Sequence, residues 1–222
     1  MTFVTSPQPL KPSQAIRDYQ NAIDASREWF RNPNNEQSER GATPGAFLGN
    51  PSGPAGYARS AYEIYNNWVA EMLKQLRNLR DDGTLTETID ASQASFDAWH
   101  RDLVNSLDDY WREHAHPDFP LTRRQLHKLV DLAVKWLRIK VPSETRDAIE
   151  QRGHTTLSGP TMERLGPLLG EEPFDFPPND QFDDWYAVTQ QRIRDFCNQH
   201  GGSPVIVDVS CRRQFTTDPD QD

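Results

Sequence analysis

Apolar residues recur along most of this chain at intervals of three and four, the spacing that gathers side chains on one side of a helix. The densest such stretch is Leu121 to Lys140. Its apolar residues Leu126, Leu129, Val130, Leu132, Ala133, Val134, Trp136 and Leu137 cover most of the circumference, which predicts a helix buried on nearly all sides. Thr122 followed by Gln125 has the form of a capping box and sets its start. The polar remainder, Arg124, Lys128, Asp131, Lys135 and Arg138, advances in steps of four, three, four and three and so falls on one line.

The same periodicity predicts helices from Ser13 to about Arg31, Tyr57 to Arg80, Asp90 to His114, Ser143 to Glu150, Thr161 to Leu169 and Asn179 to His200. Between the first two lies Asn32 to Gly56, rich in Asn, Gly, Pro and Ser, which reads as a long loop with Phe47 and Leu48 as an apolar wedge. Thr84 to Thr88 reads as a short link, and Pro204 to Val209 (PVIVDV) as the one strand-like run. The expectation is an all-α protein: a loose segment over 1–12, one helical domain over 13–215 and a frayed tail over 216–222.

Composition narrows the setting. With 222 residues the chain can bury one substantial core, and its six tryptophans sit at helical spacing as anchors for it. Cys197 and Cys211 have neither metal-ligand spacing nor the look of a disulfide framework, and no apolar run reaches the roughly 20 residues of a membrane span. A cytoplasmic protein without metal or other cofactor, and without membrane attachment, is expected. The net charge of −9 argues against indiscriminate binding to nucleic acid. Yet residues 121 to 152 carry eight basic side chains against four acidic ones, a local balance of +4 that leaves −13 for the rest. Such a patch suits one polyanion site on an otherwise repelling surface.

The charged line on the central helix has two readings. It is the wet side of the helix, or it lines a cleft in which a lysine reacts, because burial and cationic neighbours move a lysine toward the neutral, nucleophilic amine. His114 and His116, separated by one residue, have no third ligand beside them and read as loop residues able to touch phosphate.

The succession of a hairpin at 114–120, the helix QLHKLVDLAVKWL, a short helix, a turn beginning at His154 and a long amphipathic helix resembles the helix-hairpin-helix DNA glycosylases, in particular the archaeal 8-oxoguanine glycosylases and their bacterial relatives. The likeness covers roughly residues 57 to 215. It implies a two-lobed helical fold acting as a monomer on double-stranded DNA, with Lys128 as the family's lysine nucleophile and Lys135 as its second lysine, contacting phosphate or base. One bacterial member of that branch excises glucosylated 5-hydroxymethylcytosine from phage DNA, which makes modified phage DNA the expected substrate and an 8-oxoguanine repair glycosylase/lyase the alternative. The chain departs from the family at two points. HPDFPLTRRQ replaces the glycine-containing hairpin, so Arg123, Arg124 and His116 are expected to hold the DNA backbone. Ser158 stands where the family has an aspartate, so either Asp131, on the same line as Lys128, or Asp147 supplies the carboxylate, or the chemistry differs from the family's, with Lys128 staying charged to stabilise the departing base and little or no strand cleavage; Ser158 itself is otherwise a helix cap. Asn67, Trp68 and His154 complete the expected base pocket, with aromatic core packing the competing role for Trp68. A non-catalytic helical module binding DNA or a protein through the same charged line is the reading from a different class.

Overall fold

In the computed structural model the chain is described over residues 12–32, 34, 57–115, 117–118, 120–170 and 175–212. The expectations for the loop at 32–56 with its Phe47–Leu48 wedge, for His116 and for the tail fall largely or wholly outside these residues. Among the described residues the protein is all-α, without a strand. The helices are α1 (Pro12–Arg31), α2 (Tyr57–Asp81), α3 (Gln93–His114), α4 (Arg123–Leu137), α5 (Ser143–Arg152), α6 (Gly159–Leu169), α7 (Phe182–His200) and α8 (Pro204–Arg212). A π-turn over Thr86–Asp90 forms the link expected at Thr84 to Thr88, and a 3₁₀ turn over Asn179–Gln181 leads into α7. No described helix is long and apolar enough to cross a membrane.

Local chemistry sets several of the boundaries. Thr122 and Gln125 form the reciprocal capping box: the Thr122 amide donates to Gln125 Oε1 at 2.8 Å and the Gln125 amide to Thr122 Oγ1 at 3.3 Å. Ser92, and not Asp90, begins α3, because its hydroxyl accepts the amide of Ser95 at 3.0 Å. Gly170, at φ 71°, ends α6 in the left-handed conformation that favours glycine.

Two apolar clusters form the interior. The first gathers Trp68, Met72, Phe96, Leu103, Leu107, Leu126, Val130 and Leu137 from α2, α3 and α4, with Phe30 of α1. The second joins Tyr19 of α1, Leu165 of α6 and Phe182, Tyr186, Ile193 and Phe196 of α7. Helix α8 serves both, giving Val205, Ile206 and Val209 to one and Val207 and Cys211 to the other.

Helix α8 corrects the strand expected at PVIVDV. Every residue from Pro204 to Val209 is buried, and a lone buried strand without a pairing neighbour would strand its amides and carbonyls away from water. A helix satisfies them within itself, which outweighs the modest β preference of Val and Ile. Packing on α5 adds a steric requirement. A Cβ on Gly153 would lie 2.4 Å from the Ile149 carbonyl oxygen and 2.6 Å from Val205 Cγ2, so α8 seats against the end of α5 only over a glycine.

Candidate functional site

The charged line of α4 changes character along its length. Arg124, in the first turn, is exposed, Lys128 is half-buried, and Asp131, Lys135 and Arg138 are 2 %, 1 % and 1 % exposed. It is therefore neither a wet face nor a cleft wall throughout. Its outer end meets solvent, and its inner end is a set of buried polar contacts.

At the outer end, the Arg124 guanidinium lies 3.5 Å over the Phe176 ring, a cation–π contact that holds it at the surface. Burial lowers the pKa of the Lys128 ammonium from its ordinary value, and the positive charges of Arg212, Arg124 and Lys135 lower it further. Lys128 thus lies in a basic cluster drawn from both α4 and α8. Arg123 is held differently. Its amide donates to Asn179 Oδ1 at 2.6 Å and its guanidinium pairs with Asp183 at 2.8 Å and, more loosely, with Asp108 at 3.8 Å. The expected phosphate anchor is in this structure the tie between α4 and the start of α7.

At the inner end, the Lys135 ammonium donates to Thr156 Oγ1 and to Asp208 Oδ2, all of them buried. Asp208 Oδ1 accepts from the Thr156 amide at 3.2 Å and from Arg212 Nε at 3.2 Å. Arg138 donates to the carbonyls of Phe30 and, at 2.9 Å, Lys135. Lys135, expected to touch phosphate or base, has its ammonium enclosed against Thr156 and Asp208 of α8.

Asp131 sits in a second buried group built from four elements. Its Oδ1 accepts from Tyr186 Oη (α7) at 2.7 Å and lies 2.8 Å from His100 Nε2 (α3). Tyr186 Oη is 3.1 Å from Nδ1 of His154, in the turn before α6, and His154 Nε2 is 2.8 Å from Asp97 Oδ1 (α3). His127, beside Lys128 in sequence, packs tilted against Tyr186 with ring centroids 4.0 Å apart and lies 2.9 Å through Nε2 from Asp183 Oδ1. Burial, with repulsion from His100, holds the His154 imidazole at a pKa of about 4, and burial lowers His127 as well, so both are neutral at pH 7. Burial opposes ionisation of Asp131, but the hydrogen bond with His100 keeps its carboxyl below the ordinary value. The His127 hydrogen bond, with help from Arg123, depresses Asp183 strongly.

Asp131 and His154, expected to meet the reacting sugar and the base, are thus enclosed with each other at 2 % and 6 % exposure. Trp68 takes its competing role in the core at 2 % exposure, its Nε1 donating to Ser106 Oγ at 3.2 Å, whereas its neighbour Asn67 is exposed on α2. Ser158 occupies the cap position of α6, but its hydroxyl pairs with the Thr161 hydroxyl at 2.9 Å and not with a backbone amide. Asp147 is half-exposed at the edge of α5, 3.7 Å from Arg31. His100, Tyr186, Asp208 and Arg212 were missed in the sequence. Asp208 carried the one available signal, as the single charge in an otherwise apolar run from Pro204 to Val209.

No family model, curated protein or solved structure matches this chain.

Proposed function

We propose that the chain is a DNA glycosylase of helix-hairpin-helix type that cleaves the N-glycosidic bond of a modified base extruded from double-stranded DNA, with Lys128 as the attacking amine. The observation that carries this reading is the environment of Lys128: a half-buried amine whose charged form is disfavoured by burial and by Arg124, Arg212 and Lys135, at the point where the charged line of α4 passes from surface to interior. Loss of the proton frees the electron pair that a nucleophile needs.

In the proposed step the Lys128 nitrogen forms a bond to C1′ as the C1′–N bond to the base breaks. The base departs with that electron pair and takes up a proton, and the nitrogen loses one. Opening of the sugar ring then yields an imine, which water hydrolyses to the free amine and an abasic site. Exposed Arg124 and partly exposed Arg212 supply positive charge for the phosphates beside the extruded nucleotide. Because Asp131 is enclosed in its own hydrogen-bonded group, no carboxylate role at the sugar is assigned to it.

The test is borohydride trapping together with mass spectrometry of released bases, on duplexes carrying cytosine, 8-oxoguanine or glucosylated 5-hydroxymethylcytosine. A trapped adduct and a released base on at least one duplex, both lost in Lys128→Gln, are the expected result. Base release without trapping would remove Lys128 as nucleophile while leaving a glycosylase. Intact DNA throughout, with retained binding, would replace the enzyme by a DNA-binding module.

A further inference from the structure

The histidines and carboxylates around Tyr186 share an arrangement that hydrogen bonding alone does not complete. His154 and His127 each direct Nε2 at a peripheral carboxylate, Asp97 at 2.8 Å and Asp183 at 2.9 Å. An ionised carboxylate only accepts, so in each neutral ring the proton belongs on Nε2 and the lone pair on Nδ1. The Nδ1 atom of His127 is buried and has no hydrogen-bond partner among the described residues. For His154, Nδ1 faces Tyr186 Oη at 3.1 Å, but the phenol has one proton and gives it to Asp131 Oδ1 at 2.7 Å. Two lone pairs then meet. The second oxygen of Asp131, Oδ2, is also buried without a hydrogen-bond donor among the described residues. Asp131 Oδ1 takes protons from Tyr186 and His100, but Asp131 Oδ2, His127 Nδ1 and His154 Nδ1 keep lone pairs that no proton of the group answers, and a buried acceptor without a donor is costly.

We infer that the buried cluster of His100, Asp131 and His154 is a binding site for one divalent transition cation of the zinc class. A carboxylate oxygen of Asp131 and a ring nitrogen of each histidine lie within 4.8 Å of one another, a separation that ligands on one small ion can close with side-chain rotation. The donor set of two imidazoles and a carboxylate is that of borderline metals, and an all-oxygen site would suit calcium or magnesium instead. Asp97 already plays the part of the outer carboxylate that fixes the tautomer of a metal-bound histidine. His100 Nε2 now lies 2.8 Å from Asp131 Oδ1, and its Nδ1–H tautomer turns a lone pair to the ion. Tyr186 Oη is the adjacent fourth donor. The cation's charge meets the carboxylate of Asp131 directly and that of Asp97 through His154, Asp97 also lying 3.5 Å from Arg194. Since all three ligands are less than a tenth exposed, the site is closed, and the ion's role is to staple α3, α4, the turn before α6 and α7.

This inference is independent of the DNA reading, and its test needs no substrate. The purified full chain is stripped with a chelator, then titrated with zinc chloride and assayed for bound metal and thermal midpoint. One zinc per chain and a raised midpoint are expected, with binding abolished in His100→Ala and His154→Ala and weakened about 10- to 100-fold in Asp97→Asn. Cobalt(II) loading of the unaltered chain guards against variants that fail to fold. Visible bands of a low-symmetry nitrogen and oxygen site are expected, whereas the spectrum of the hydrated ion would overturn the proposal. A folded chain that takes up no zinc at saturation, or one whose stoichiometry survives in His154→Ala, would also overturn it.

Discussion

Lys128 and Lys135 lie on the same face of the same helix, yet the protein treats them in opposite ways. Lys128 is half-buried among cations that disfavour its charge, while Lys135 is enclosed with Asp208 and Thr156, which accept from it. Sequence periodicity ranks them alike because it reports which residues share a face and not what packs against it. The difference is made by α8, which carries the anion that meets Lys135 and the cation, Arg212, that bears on Lys128. One face of one helix therefore holds both an amine whose charge is disfavoured and one neutralised in a buried ion pair, and a shared line of charge is no guide to shared surroundings.

The contrast can be broken most forcefully at its inner end. Asp208→Ala leaves the Lys135 ammonium buried without its carboxylate and is expected to lower stability by about 3–5 kcal/mol in urea unfolding. The paired change Lys135→Met with Asp208→Leu removes both charges and should recover most of that loss, whereas Lys128→Met should cost less than about 1 kcal/mol because its head is partly solvated. A double variant as unstable as Asp208→Ala alone would show that the ion pair is not the source of the loss.

The seat of α8 gives the next effect. Gly153→Ala places a methyl group against the Ile149 carbonyl and Val205, and overpacking of this kind is expected to cost about 1–3 kcal/mol by the same measurement. The capping box comes after it, with Thr122→Ala expected to cost about 1 kcal/mol through the lost cap on α4.

The finest distinction is one of titration. Because the folded pKa of Lys128 lies below 10.5, its neutral fraction rises at lower pH than that of an ordinary lysine. Limited acylation followed by peptide mapping should therefore label Lys128 ahead of the exposed Lys74 at mildly alkaline pH, and Arg212→Gln should reduce that lead by removing a neighbouring positive charge. Equal labelling of the two lysines across the range would contradict the proposed activation.

Much of the helical architecture was legible in the sequence because helix signals are local. The capping box at Thr122 and the apolar faces of α2, α3 and α7 each depend on residues a few positions apart. PVIVDV was misread because its helical form answers to enclosure on all sides, which no local pattern encodes. Along the charged line of α4 the sequence named the residues but not their partners. The group around Asp131 depends on contacts across 31 residues to His100 and 55 to Tyr186, and His100 lies among the inward positions of α3, where a histidine looks like one more core residue. Pairing across such distances is set by packing and leaves no spacing to read.

Asp208 also bears on how the protein comes into being. It lies in the last of the described helices to leave the ribosome, so the carboxylate to which Lys135 donates is made 73 residues after the lysine. The ion pair that joins α4 to α8 therefore forms only after nearly all of the described chain has been made.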